Sequence, residues 1–209
     1  MNIERYNSII LDCDGVIFDT NNLKLEAFRK VLCGFDDQVV NNFIKYFREN
    51  FGTSRYELTR VFIEDFLGFE CSKELFDEIL ARYGDECLRL YQKASLTKGF
   101  LEFVDKYKNK RIFIASGGDE TELKTVFKNR GLDCLFVDIL GSPKKKAEIV
   151  SEIVARETGS IVMIGDANAD KIAASMAGID FIFMKDYSTS SGMGKDHDLN
   201  CIDNLSDLI

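Results

Sequence analysis

From residue 97 onward the sequence alternates short β-rich runs with charged amphipathic stretches, and no other feature limits the possible folds so sharply. The runs expected as strands are residues 111–115, 134–140, 161–165 and 180–184. Such alternation is the pattern of βαβ units, which wind into a parallel sheet. A further run at residues 8–12 has the near-continuous apolar character of a strand covered on both faces. An α/β fold built on a parallel sheet, with helices on both faces, is therefore expected.

Residues 20–94 break this pattern. β-like runs vanish and aromatic side chains recur at helical spacing, as in Phe43, Phe47 and Phe51, or Phe62 and Phe66. This segment reads as a helical insert whose aromatics form its own core. The one proline, Pro143, follows Ser142 and precedes a helical pattern. That pairing predicts a serine N-cap with proline at the first helical position, and a helix from near residue 143. Residues 186–198, rich in Ser, Gly and Asp, predict a long surface loop carrying the one histidine, His197.

Composition excludes several functions. The net charge of -8 disfavours a broad nucleic-acid or anionic-membrane surface. No run approaches the roughly 20 apolar residues of a membrane span, and the first residues lack a basic patch followed by a long apolar stretch. Six cysteines are scattered without a C-x-x-C pair, which argues against a disulfide framework or a zinc site. A soluble, unprocessed, cytoplasmic protein with free thiols is expected. With a single histidine placed in a loop, carboxylates, hydroxyls and lysines must carry any chemistry.

In an open parallel sheet, ligands bind outside the carboxyl ends of the strands, so the residues just after each run are the informative ones. The first strand delivers Asp12 and Asp14 around Cys13, followed at once by Gly15. Like charges so close repel unless a cation, a shared proton or a catalytic task compensates. The Cys13 side chain alternates back toward the core. Ser116-Gly117-Gly118 follows the run at 111–115, where a glycine-rich turn and a hydroxyl suit a phosphate, although this is also common turn chemistry. Asp119 and Glu122 have the spacing of a capping box.

Lys144-Lys145-Lys146 puts three cations in a first helical turn, where the macrodipole favours acids. Helical side chains lean toward the amino terminus, so one of these lysines can reach the strand ends while two remain solvated. Asp166 follows the run at 161–165, and Asp170 lies one turn later. Four carboxylates converging on one edge need a counter-cation, and hard oxygen ligands suit Mg²⁺.

Together and in this order, these segments resemble the four motifs of the haloacid dehalogenase (HAD) superfamily: Asp-x-Asp-Gly, a Ser after a strand, a Lys, and Gly-Asp-x-x-x-Asp. The resemblance implies a Rossmann-like core domain of residues 1–19 and 95–209, with a helical (C1) cap domain of residues 20–94 inserted after the first motif. It implies Asp12 as nucleophile and Asp14 as general acid and base. It places Mg²⁺ on Asp12, the backbone carbonyl of Asp14 and Asp166, with Asp170 in support. Ser116, Gly117 and Lys146 would bind the phosphoryl group; Lys146 is chosen because Lys-Ala-Glu-Ile-Val resembles the family's lysine at a helix start, with Lys144 and Lys145 as alternatives.

An aspartate at position 14 matches the phosphatases and phosphomutases of the superfamily. The expected function is thus Mg²⁺-dependent hydrolysis of a small phosphorylated metabolite, such as a sugar phosphate, through an aspartyl phosphate. A phosphomutase or phosphotransferase is the nearest alternative. A non-catalytic phospho-accepting switch is a third reading, disfavoured by the Asp-x-Asp pair and the insert. Phe51-Gly52-Thr53-Ser54-Arg55 resembles a cap loop that faces the active site in some members, so Arg55 is expected either to recognise substrate or to form a salt bridge.

Overall fold

The structure, a computed structural model, describes residues 2–189 and 199–209. The central strand β1 (Ser8–Leu11) has no exposed residue and is paired on both sides. On one side it runs parallel to β2 (Arg111–Asp119), which pairs in turn with β3 (Asp138–Ser142). On the other side lie β4 (Ile161–Gly165), β5 (Asp180–Met184) and the short β6 (Cys201–Ile202). The order β3-β2-β1-β4-β5-β6 is wholly parallel, a Rossmann-like arrangement in which the winding direction reverses between β1 and β4. Ser8 sits opposite both Arg111 and Ile161, so the carboxyl ends of β1, β2 and β4 open onto one edge.

Period-two alternation sorts each strand between two cores. Ile9, Leu11, Ile112, Ile114, Val162 and Ile164 face the side covered by α5 (Phe100–Lys106) and α6 (Glu120–Asn129). Ile10, Phe113, Ala115 and Met163 face α7 (Lys146–Arg156) and α8 (Asn168–Ala177). Between β1 and α5 stand four helices: α1 (Asn21–Val31), α2 (Asp37–Glu49), α3 (Arg55–Val61) and α4 (Lys73–Lys93). Their aromatic residues form the expected core. Phe28 lies 4.2 Å from Tyr83, 5.1 Å from Phe43 and 5.6 Å from Phe47, measured between ring centroids. The two chain segments that enter and leave these helices are bonded to each other, Asp19 N–H to Ser95 O at 3.0 Å and Thr97 N–H to Ile17 O at 2.9 Å.

Three local expectations are corrected. The third strand begins at Asp138 rather than Cys134, because Asp133–Leu135 turns as a 3-10 helix and ladder pairing with β2 starts only at Phe113–Asp138. Ser142 is not an N-cap and the helix does not start at Pro143. Ser142 ends β3, buried opposite Asp119; the Ser142–Pro143 bond is cis, and α7 starts at Lys146. Ser116-Gly117-Gly118 is not a turn either. It prolongs β2 through a register shift to Asp119, and only Asp119 caps α6, accepting from the Glu122 N–H at 3.1 Å. All six cysteines are free thiols, and Cys13 is buried as expected. His197 and most of the predicted loop lie outside the described residues.

Phe28 ties α1 to α2 and α4, so Phe28→Ala should cost about 3–5 kcal/mol through the cavity it leaves. Urea denaturation followed by circular dichroism would measure this; a loss below about 1 kcal/mol would show that the cluster does not hold the helices together.

Candidate active site

The turn after β1 sends its two acids in different directions. Gly15, at φ 77°, makes the turn, and a β-carbon there would collide with the Asp166 carboxylate. Asp12 looks along the sheet edge toward the residues following β4. One carboxylate oxygen from each of Asp12, Asp166 and Asp170 lies within 4.8 Å of the others, and all three residues are buried. Lys146, the first residue of α7, reaches back between them, with Nζ 2.9 Å from Asp12 Oδ1 and 2.5 Å from Asp170 Oδ1. Of the three consecutive lysines the structure brings this one to the site. Lys144 pairs with Glu152 at 2.8 Å on the surface, and Lys145 is exposed.

Asp170 is fully engaged, because its Oδ2 accepts the backbone N–H groups of Asp166 and Ala167 at 3.1 and 3.0 Å. Asp166 is not. Its Oδ2 accepts from Asn21 Nδ2 at 2.5 Å, while its Oδ1 is buried with no hydrogen-bond partner. An orphaned carboxylate oxygen beside a second carboxylate is a hard-oxygen site for a divalent cation, so these residues fit such an ion. Burial and the Asp170 carboxylate push Asp12 up from 3.8 to about 7, against the pull of Lys146. Burial and the Asp12 carboxylate push Asp166 well above the ordinary carboxylate range.

Asp14 turns the other way, into the helical insert. Lys24 Nζ donates to it at 2.7 Å, Tyr91 Oη at 2.7 Å and Thr20 Oγ1 at 2.5 Å. Burial pushes Asp14 up, but the Lys24 ammonium and these hydrogen bonds more than compensate and hold it below its ordinary value. Lys24, Tyr91 and Thr20 are not among the residues expected at the site from sequence. A signal existed: Asn21, Lys24, Leu25 and Phe28 follow i, i+3, i+4, i+7 spacing, which puts a lysine on the inward face of α1. Tyr83, Cys87 and Tyr91 recur every four residues on α4 in the same way.

Ser116 is fully buried, and its Oγ accepts from the Gly118 N–H at 3.0 Å. Gly117 meets the insert: a β-carbon there would lie 2.6 Å from the Gly52 carbonyl oxygen. A β-carbon on Gly52, at φ 87°, would lie 2.9 Å from the Ala169 β-carbon and 3.4 Å from Lys146 Nζ. Arg55 is buried and forms a bidentate pair with Glu122 on α6, at 2.8 and 2.6 Å. Glu122 therefore does not close the expected capping box; it joins α3 to α6. Tyr56 Oη adds a parallel link to Asp119 at 2.9 Å. Asp12, Asp14, Lys24, Phe51, Arg55 and Gly117 are among the residues around a cavity of about 20 Å³ between the insert and the strand ends.

A parallel sheet with buried acids at the point where its winding reverses defines an α/β enzyme whose chemistry sits at the carboxyl edge. The chain belongs to the haloacid dehalogenase-like hydrolases, whose family model matches residues 6–178. It shares its fold with a hydrolase from Pseudomonas syringae, at a TM-score of 0.76 and 17% identity over 97% of this chain and 95% of that one. A predicted phosphoglycolate phosphatase from Haemophilus somnus is similar at a TM-score of 0.75 and 15% identity, covering 99% and 98%. The HAD-hydrolase YfnB from Bacillus subtilis, in a form bound to magnesium, matches at a TM-score of 0.66 and 18% identity, covering 98% and 97%. No curated protein sequence matches the chain. No helix among the described residues is long and apolar enough to cross a membrane.

Asp12 and Asp166 hold protons in the folded chain that the unfolded chain has already released above about pH 4. Between about pH 4 and pH 7 the folded state thus binds more protons, and metal-free stability falls as pH rises. In chelator, the melting temperature should drop across this window, and millimolar Mg²⁺ should raise it at neutral pH. Asp166→Asn should raise the melting temperature of the chelated protein and abolish the Mg²⁺ response. A scanning-fluorimetry series showing the same Mg²⁺ shift in wild type and variant would exclude the site.

Proposed function

We propose that this hydrolase is a Mg²⁺-dependent phosphomonoesterase acting through an aspartyl phosphate on Asp12. The observation that carries this reading is the division of labour between the two acids. Asp12 faces the cation-binding carboxylates and Lys146, while Asp14 faces hydrogen-bond donors on the opposite wall of the same cavity.

Asp12 attacks phosphorus, the phosphorus–oxygen ester bond breaks, and the leaving alkoxide takes a proton from Asp14. Asp14 then removes a proton from the water that attacks the acyl phosphate, which regenerates Asp12 and releases phosphate. With Lys24, Tyr91 and Thr20 all donating to it, Asp14 stands here as the ionised acceptor that the second half-reaction needs. Lys146, the Ser116 hydroxyl and the Gly117 backbone bind the equatorial oxygens as charge develops on them. A Mg²⁺ held by Asp12, Asp166 and the Asp14 carbonyl would neutralise part of that charge, with Asp170 in support by fixing Lys146.

The resident cavity holds about one water and no phosphomonoester, so substrate entry requires the helices to withdraw from the strand ends. We take residues 20–94 as a cap domain and residues 1–19 with 95–209 as the core. Paired crossings at Asp19–Ser95 and Ile17–Thr97 act as the hinge. Closure of the cap excludes water from the first step.

Phosphate release from p-nitrophenyl phosphate should require Mg²⁺ and fall by at least about a thousandfold in Asp12→Asn, as expected when the nucleophile itself is lost. Release that persists in Asp12→Asn, or that is unaffected by chelation, would overturn the assignment.

A further inference from the structure

The insert reaches both walls of the strand edge through two consecutive residues, Thr20 and Asn21, where the chain enters α1. Thr20 Oγ1 donates to Asp14, and Asn21 Nδ2 donates to Asp166 Oδ2 at 2.5 Å and to the Tyr187 carbonyl at 2.8 Å. Threonine and asparagine at a helix start ordinarily turn their oxygens onto the first N–H groups of that helix. Neither does so here, and α1 has no side-chain cap and no acid in its first turn. Both residues serve the acids instead, a local preference overridden in the way expected at a functional site.

Asn21 is buried, and its two acceptors fix which way the amide faces. Both N–H bonds of Nδ2 are in use, while Oδ1 has no hydrogen-bond partner among the described residues. Covalent geometry keeps that oxygen within about 5 Å of the Asp166 carboxylate. Asp166 Oδ1 is orphaned likewise, so two touching residues each bury an acceptor without a donor. Buried atoms of this kind call for an ion or its water. Asp166 Oδ1 suits a divalent ion itself, and Asn21 Oδ1 suits the waters that Mg²⁺ retains.

Lys146 pairs with Asp12 and Asp170 but not with Asp166. The donor that Asp166 does have is a neutral amide, which orients the carboxylate and leaves its charge to a cation; an ammonium there would compete. The pair is clamped against the turn after β1, since a β-carbon on Gly15 would lie 2.4 Å from Asp166 Oδ2 and 2.5 Å from Asn21 Nδ2. Behind it, Ser188 Oγ donates to the Asp166 carbonyl, and Tyr187 Oη accepts from the Lys98 N–H at 3.1 Å, one residue past the Thr97 crossing. Both segments of the hinge are thus linked to Asp166.

We propose that Asn21 is a positioning residue that aims Asp166 at the cation and couples cation binding to the hinge of the insert. The inference rests on the Mg²⁺ site of the phosphomonoesterase reading and extends it to the first residue of α1. By linkage, whatever Asn21 adds to cation affinity the cation adds to the ordering of the hinge.

Isothermal titration calorimetry with Mg²⁺ alone on the chelator-stripped protein compares wild type with Asn21→Leu, which keeps the volume without the donor, and Asn21→Ala, which relieves any strain that prevents the leucine variant from folding. Kd should rise about 10–100-fold, as when a ligating carboxylate loses its hydrogen-bond partner. Ser72→Ala removes the N-cap of α4, whose Oγ accepts from the Leu75 N–H at 3.3 Å, and should lower the melting temperature without moving Kd. In hydrogen exchange, saturating Mg²⁺ should slow the Asp19 and Thr97 amides of wild type and not those of the Asn21 variants. An unchanged Kd in Asn21→Ala, or hinge protection by Mg²⁺ that is missing in wild type or persists in the variants, would overturn the inference alone. Wild type that binds no Mg²⁺ would overturn both the inference and the Mg²⁺-dependent reading.

Discussion

The ammonium of Lys146, inserted between Asp12 and Asp170, is the contact on which the active-site edge depends. Three carboxylates, from the ends of β1 and β4 and the first turn of α8, are buried within a few ångström of one another, an arrangement that repulsion and desolvation would otherwise open. One lysine offsets only part of that charge. Burial lowers the proton affinity of Lys146, yet the two carboxylates raise it above its ordinary value, so the ammonium stays charged. The remaining imbalance appears as the raised proton affinities of Asp12 and Asp166, which leave this edge short of positive charge.

The same constraint explains the shape of the fold around the site. Asp12 and Asp166 can meet only because β1 and β4 are neighbours in register, and Lys146 can reach them only because α7 starts after β3 with its first residue aimed at the strand ends. Asp14, two residues beyond Asp12, is left to the helical insert. The insert therefore both closes the cavity and sets the electrostatic state of the second acid. Arg55–Glu122 and Tyr56–Asp119 fasten the two parts at the amino end of α6, beside the Gly52–Gly117 contact where their backbones come closest.

Much of this could be read from the residues in order. The strand runs at 111–115, 161–165 and 180–184 were legible, as were the acids at the ends of the first strand and of the run at 161–165, because a strand buried on both faces is apolar almost throughout and stops where charge begins. The region around Pro143 was not legible. A Ser-Pro pair before an amphipathic stretch has the chemistry of a helix start, but pairing with β2 draws Ser142 into the sheet and delays the helix to Lys146. Ser116-Gly117-Gly118 misled for the same reason, since glycines that suit a turn also permit a strand to pass close beneath the Gly52 loop.

Sequence alone determined the fold class and the identity of the acids, because periodicity and the placement of charge at strand ends are local properties of the chain. Tertiary structure decided which partner each charged group meets. Lys24 reads as one more helical lysine until α1 and α4 pack and enclose it with Asp14 and Tyr91. Arg55 had two possible roles until α3 came to rest against α6 and Glu122 took two of its donors. Except for Lys24–Asp14, ten positions apart, these pairings join residues 67 or more positions apart, and their energies depend on burial and on distances that no local pattern encodes.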